Sequence, residues 1–154
     1  FDRLLAERFG TLHTQASHGE LSGWRESPHG RLAEIIVLDQ FSRNLFRDSA
    51  KAFAQDGMAL VLAQEAVRAG ADAELSAQER VFLYMPYMHS ESLAIHETAV
   101  QLFTRNGIQG NLDFEIRHKA IIERFGRYPH RNALLGRDST PEETAFLSQP
   151  GSAF

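Results

Sequence analysis

The strongest constraint on the fold is the spacing of apolar residues, which recur every three to four positions along most of the chain. One such stripe consists of Leu5, Phe9, Leu12 and Ala16. This stripe predicts an amphipathic helix, whereas the broader apolar run from Leu32 to Phe41 predicts a central helix that is mostly buried. No segment alternates apolar and polar residues between turn signals, so we expect no β-sheet.

Start and stop signals divide this pattern into helices. Ser76–Glu79 and Thr140–Glu143 each have the residue types of a capping box, and Ser27 followed by Pro28 is a further helix start. Pro86 is expected to end or kink the helix that follows Ser76. The predicted helical segments are Asp2 to about Ser17, Pro28 to Asn44–Arg47, Asp48 or Ser49 through Ala69, Ser76 through Tyr84, Ser90 through Arg105, Leu112 through Phe125 with Asn111 opening it, and a short helix after Thr140. Because the connections are short, we predict one all-α domain, 1–154, of six to seven helices in antiparallel helical hairpins.

Composition excludes several classes of protein. The 154 residues are 43% hydrophobic and include eleven Phe, which is enough for a sizeable core. The net charge of −4 argues against nucleic acid as a partner, although positions 115–137 carry six basic residues and two acidic ones. No apolar run reaches the roughly 20 residues that cross a bilayer, so we expect no membrane partner.

The chain has no cysteine, which excludes disulfides, thiolate zinc sites and cysteine nucleophiles and fits a cytoplasmic protein. It also has no glycine-rich phosphate loop, no nucleophile elbow and no dinucleotide fingerprint, and we predict no cofactor. Six aromatic residues fall at helical spacings and are predicted to be core rather than a stacking platform: Phe82, Tyr84, Tyr87, Phe103, Phe114 and Phe125.

The first polar cluster consists of Asp39, Gln40, Arg43, Asn44 and Arg47. Asp39 and Arg43 are four residues apart and therefore share a helix face. The apolar neighbours of Asp39 indicate that it is partly buried, and a buried charge needs a partner. Two interpretations stay open, because such a pair either locks the fold or lines a cleft.

The second polar cluster is centred on His89 and Glu91, which precede a predicted helix. Both residues are explained if they stabilise the start of that helix, where a carboxylate is favoured by the helix dipole. Alternatively, they form an acid–base pair that faces a pocket. A metal site that adds His96 and either His118 or His130 is a weaker alternative, because the spacing matches no known metal motif.

The third polar cluster consists of Arg127, His130, Arg131 and Asn132, in a predicted loop, with Arg137 nearby. An arginine offers a two-pronged contact to a carboxylate or a phosphate. The same side chains are equally suited to bind the free carbonyl groups at the ends of neighbouring helices. Both interpretations stay open.

Five stretches together resemble the bacterial family called domain of unknown function 924. They are LDQFSRNLFR at 38–47, AFAQD at 52–56, FLYMPYMHSE at 82–91, FGRYPHRN at 125–132 and LGRDSTPEE at 135–143. The resemblance covers nearly the whole chain and implies a helical fold similar to tetratricopeptide-repeat domains, with no assigned activity. It also implies a further N-terminal segment, absent here, and the family usually has Pro at the position of Ser42 and Gln about where His96 lies.

Three functions fit this sequence. The first is a binding module that presents arginines to an acidic peptide or an anionic small molecule, with Arg43, Arg47, Arg127 and Arg131 as the candidates. The second is a small-molecule enzyme in which His89 and Glu91 act as the acid–base pair. The third is a structural protein, for example a homo-oligomer. Fold cannot choose among them, so we expect the placement of five residues to matter most: Asp39, Arg43, His89, Glu91 and Arg131, which are predicted to share one polar site.

Overall fold

Seven helices follow one another along the chain, and the computed structural model describes every residue from 1 to 154. They are α1 (Asp2–Ser17), α2 (Pro28–Ile36, continued by Val37–Phe41 in π geometry and by Ser42–Leu45), α3 (Asp56–Arg68), α4 (Ala77–Met88), α5 (Leu93–Asn106), α6 (Gln109–Phe125) and α7 (Pro141–Leu147). The chain contains no strand, so the prediction of an all-α fold with six to seven helices is confirmed. The likeness to tetratricopeptide-repeat domains stays a prediction.

Local sequence signals set most of the helix ends. The Ser27 hydroxyl accepts a hydrogen bond from the Gly30 amide at 3.0 Å, and both predicted capping boxes form. Gly70 follows α3 with a φ of 75°, a left-handed conformation that glycine adopts without strain.

Four helix boundaries differ from the predictions, including the start of α6, which lies at Gln109 rather than near Leu112. Helix α3 begins at Asp56 rather than near Asp48 or Ser49, because Ser49 caps a separate 3₁₀ turn through the Lys51 amide. Helix α4 continues through Pro86 to Met88, since its last turn is buried in the core and packing outweighs the lost hydrogen bond. Helix α5 begins at Leu93 rather than at Ser90, whose hydroxyl binds the Ser92 amide instead.

The core lies between α2, α3, α4 and α5, with a smaller apolar cluster where α1 meets α2. Tyr84, Tyr87 and Phe103 are buried, as predicted. The prediction is wrong for Phe82 and Phe114, which lie on outer helix faces and are 43% and 51% exposed. No helix is both long enough and apolar enough to span a bilayer.

Helix α2 is central, and its middle turn is widened into π geometry at Val37–Phe41. This turn buries Val37, Leu38 and Asp39, while the following Ser42 donates a hydrogen bond to the Leu38 carbonyl group. Single π turns inside α-helices are frequent at functional sites. Here the turn carries a carboxylate into the interior of the protein.

Candidate functional site

Asp39 is the centre of the polar site and is only 1% exposed. Its Oδ1 atom lies 2.7 Å from His89 Nδ1 and accepts a hydrogen bond from Arg43 Nη1 at 2.9 Å, and its Oδ2 atom accepts from Gln40 at 3.1 Å. Burial by itself would raise the pKa of Asp39. The charges of His89 and Arg43 and the hydrogen bonds to the carboxylate outweigh burial and hold this pKa below its usual value.

Arg43 joins Asp39 to a carboxylate that the sequence analysis did not single out, Asp56. Arg43 donates to both oxygens of Asp56, through Nη1 at 2.8 Å and Nη2 at 3.0 Å. Asp56 is the first residue of α3, where an acidic residue is ordinarily explained by the helix dipole. In the sequence, the one indication that Asp56 belongs to the site was its position at the end of the AFAQD stretch. Arg43 is therefore held between two carboxylates.

Arg131 comes from the turn between α6 and α7 and is only 5% exposed. Its guanidinium carbon lies 4.6 Å from the ring centre of Phe53 and 4.8 Å from that of Tyr128. Nη2 donates to the His89 carbonyl group at 2.9 Å, Nη1 is 3.7 Å from Asp56 Oδ2, and Nε has no partner. Because 3.7 Å is too long for a hydrogen bond, this buried cation has one hydrogen bond and several free donors. Burial lowers the pKa of Arg131, and the charge of Asp56 opposes that shift.

His89 follows the last turn of α4 and is oriented by Asp39. Because the ionised carboxylate only accepts hydrogen bonds, Nδ1 carries the proton and donates it to Asp39. The other ring nitrogen, Nε2, has no hydrogen-bond partner within the protein. An imidazole fixed in this way presents Nε2 to whatever occupies the neighbouring space.

Two cavities share Phe53, His89 and Arg131 in their walls. The first has a volume of about 320 Å³, and the carboxylates of Asp56 and Glu91 contribute to its lining. The second, which we call the basic cavity, has a volume of about 330 Å³ and no acidic side chain in its lining. The remaining walls of the basic cavity are Arg43, Met85, Met88, Asn111, Phe114, His118, His130 and Phe154.

Glu91 lies beside His89 in the first cavity but has other partners. It forms a two-pronged ion pair with Arg137, at 2.9 and 3.0 Å, and accepts the Tyr128 amide at 2.6 Å. Burial would raise the pKa of Glu91, but Arg137 and the Tyr128 amide lower it below its usual value. His89 is therefore paired with Asp39 rather than with Glu91. Glu91 instead stabilises the turn that carries Arg131.

Five predicted site residues do not line either cavity: Asp39 acts through His89, and the other four have partners elsewhere. Arg47 donates to Asp2 at 2.7 Å, and Asn44 contacts the same carboxylate at 3.4 Å. Arg127 forms a two-pronged pair with Glu143, at 2.9 and 2.8 Å, and Asn132 donates to that carboxylate at 3.3 Å. The contacts of Arg47 and Asn44 hold α2 against α1. Those of Arg127 and Asn132 hold α7 against the preceding turn. These contacts within the protein explain why the four polar residues are present.

Of the remaining histidines, His118 and His130 line the basic cavity, whereas His96 does not. His118 donates from Nδ1 to the Phe114 carbonyl group at 2.6 Å, while Nδ1 of His130 is enclosed without a partner. Burial lowers the pKa of each to about 4. His96 is fully buried, binds Glu115 at 2.8 Å and lies 3.0 Å from the Tyr128 hydroxyl. No three His, Cys, Asp or Glu side chains are arranged to hold a metal ion.

These features define a class of all-α protein, in which a central π turn and two helix connections enclose an Asp–His–Arg site. The chain belongs to the family of bacterial proteins of unknown function called DUF924, whose sequence profile matches residues 1–151. It is similar to the solved structure of a protein of unknown function, ATU0120 from Agrobacterium tumefaciens, at 42% identity and with a TM-score of 0.91. That match covers 96% of this chain and 83% of the other. No curated protein matches the chain.

Proposed function

We propose that this chain binds a small anionic molecule in the basic cavity. The observation that carries the proposal is Arg131, a buried cation in the cavity wall that has free donors and no carboxylate within hydrogen-bond distance. The walls of small-molecule sites are largely apolar, with a few polar groups that fix the ligand, and Phe53, Met85 and Met88 supply such apolar surface here.

The volume of the basic cavity favours a small molecule over an acidic peptide. About 330 Å³ is at the lower end of the range for small-molecule pockets. An extended peptide needs a sheet edge or a long groove, and this cavity lies between the ends of packed helices. Acidic peptides are therefore not our first expectation.

Arg131 and His89 have different roles in this proposal. The free donors of Arg131 bind the anion, and the rings of Phe53 and Tyr128 hold the guanidinium in place. His89 contributes Nε2 as a second contact. Arg43 is already held by Asp39 and Asp56, so it positions His89 through Asp39 and adds only part of its charge to the cavity.

Isothermal titration calorimetry of the full chain with benzoate, phenylacetate, acetate and inorganic phosphate tests the proposal. We expect at least one of these anions to bind, and Arg131→Lys to weaken it by about tenfold or more because the planar donor fork is lost. Arg127→Lys is the matched control, because Arg127 lies outside both cavities, and it should leave the affinity unchanged. Absence of binding by all four anions, or equal losses in the two variants, would contradict the proposal.

A second candidate function is an enzyme in which His89 acts as a general base. The observation that favours it is the buried Asp39, which orients His89 and leaves Nε2 free to take a proton from water or a ligand. We expect the wild type, but not His89→Gln, to hydrolyse 4-nitrophenyl acetate above background. The surface variant His29→Gln is the control, and equal rates in all three proteins would remove this candidate.

A further inference from the structure

We propose that the anionic group taken by the basic cavity is the carboxylate of a molecule that carries one aromatic ring. This inference rests on the proposed anion binding and names the ligand class. Three features of the cavity support it: the balance of charge around His89, the rings of its outer wall, and its volume.

The balance of charge favours a single negative charge. Arg43 and Arg131 face the carboxylates of Asp39 and Asp56, so these four groups cancel. A bound carboxylate adds one negative charge and can accept hydrogen bonds from the free donors of Arg131. A doubly charged phosphate ester would bring a second negative charge to the same buried arginine.

The outer wall of the basic cavity is suited to an aromatic ring. Phe154 packs with its ring centre 3.9 Å from that of His118 and 4.4 Å from that of His130. Phe114 and the thioethers of Met85 and Met88 line the same space, and thioethers make favourable contacts with aromatic rings. The buried histidine rings are neutral at neutral pH and add flat, weakly polar surface.

The volume limits the ligand to one ring with a short acid chain. A cavity of about 330 Å³ is near the minimum for small-molecule sites. Arg131 and His89 line the same cavity as Phe114 and Phe154, so the carboxylate and the ring of one compact molecule can contact both sets. Phenylacetate has this composition and is the probe for the test.

Isothermal titration calorimetry of the full chain with four probes separates the contributions of the aromatic ring, the carboxylate and the number of negative charges. Phenylacetate contains the ring and one negative charge, acetate lacks the ring, phenylacetamide lacks the charge, and phenyl phosphate has a second charge. We expect phenylacetate to bind at least about tenfold more tightly than each of the others.

A matched pair of variants locates the ring. Phe114→Ala should weaken phenylacetate by about fivefold or more and leave acetate unchanged, since Phe114 contributes only apolar surface. Phe114 is 51% exposed, so the variant should fold. Phe82→Ala is the control, because Phe82 is also exposed but lies outside the cavity, and it should change neither affinity.

The outcomes separate this inference from the proposal on which it rests. If acetate or phenyl phosphate binds as tightly as phenylacetate, anion binding stands and the aromatic monocarboxylate class is wrong. If phenylacetamide binds as tightly as phenylacetate, the carboxylate has no role and both proposals fail. Absence of binding by all four probes likewise overturns both.

Discussion

At the scale of single residues, one buried carboxylate organises the site. Asp39 accepts hydrogen bonds from Arg43, His89 and Gln40, although it is only 1% exposed. Taking a carboxylate out of water is costly, and these partners offset the cost only because all of them are present together. The contact that locks α2 to α4 is therefore also the contact that orients His89.

Replacement of this carboxylate should affect both stability and binding. Asp39→Asn keeps the shape of the side chain but removes the charge that Arg43 and His89 face. Because Arg43 retains Asp56, we expect a loss of about 2–3 kcal/mol in the free energy of unfolding, measured in urea. Phenylacetate should also bind more weakly, since the amide no longer fixes the tautomer of His89.

A second ion pair provides the control for this prediction. Asp2→Asn removes the partner of Arg47 at the protein surface, where ion pairs are worth little, and should hardly change the unfolding curve. Equal effects of the two substitutions would show that Asp39 has no special role.

At the scale of elements, the entry to α2 depends on close contact between two backbones. The 3₁₀ turn Ser22–Glu26 packs on the first turn of α2, and Arg25 fixes it through a two-pronged pair with the buried Glu34, at 2.7 and 2.8 Å. A Cβ atom built on Gly30 would lie 1.8 Å from the Trp24 carbonyl oxygen. Gly30 is thus required by its neighbour and not by its own backbone conformation.

Two glycine substitutions in helices should have opposite effects. Gly30→Ala forces two backbone segments apart, and we expect it to lower the free energy of unfolding by about 2 kcal/mol or more. Gly10→Ala in α1 meets no atom within 4 Å and should raise it by about 0.5–1 kcal/mol, because alanine favours the helix. Urea denaturation of both variants checks the pair, and destabilisation by Gly10→Ala or tolerance of Gly30→Ala would contradict the structure.

At the scale of the whole molecule, buried histidines make the fold sensitive to acid. The pKa values of His118 and His130 are about 4 in the folded protein, against 6.5 for an unperturbed histidine, because burial disfavours the charged ring. Between these two values the unfolded chain takes up more protons than the folded one, so stability falls as the pH falls. Each such proton changes the free energy of unfolding by about 1.4 kcal/mol per pH unit.

Buried carboxylates modify this dependence in a defined direction. Burial raises the pKa of Glu115 above 4.5, so this residue opposes the histidines as the pH falls toward that value. Asp39 and Glu91 have lowered pKa values, and their stabilising contribution is lost only in more acidic solution, as the pH falls through those values. Burial also lowers the pKa of His13, so three histidines against one glutamate leave a net loss of stability between pH 6.5 and about 4.5.

The urea midpoint should therefore be lower at pH 5.0 than at pH 7.5. His130→Gln removes one of the three titrating rings and should reduce this difference without abolishing it. A midpoint that rises toward pH 5.0 would mean that Glu115 outweighs the three histidines.

The sequence by itself determined the class of fold and most of the helix ends. The capping boxes at Ser76 and Thr140 bind amides three residues away, and the stop at Gly70 depends on its own backbone, so these signals need no tertiary contact. The predicted end of α4 before Pro86 was wrong, because the helix continues to Met88 and its last turn is buried in the core. Local sequence predicts a helix end well where the capping hydrogen bonds join residues within one turn of each other.

Only the tertiary structure decided which polar residues meet. His89 and Asp39 are 50 positions apart and Arg131 is 42 positions from His89, and helix packing brings all three together with Asp56. The same packing removed Asn44, Arg47, Arg127 and Asn132 from the site, although their residue types are equally suited to it. Spacing along one helix predicts contacts between its own side chains, whereas a site formed by several helices depends on packing that no local pattern encodes.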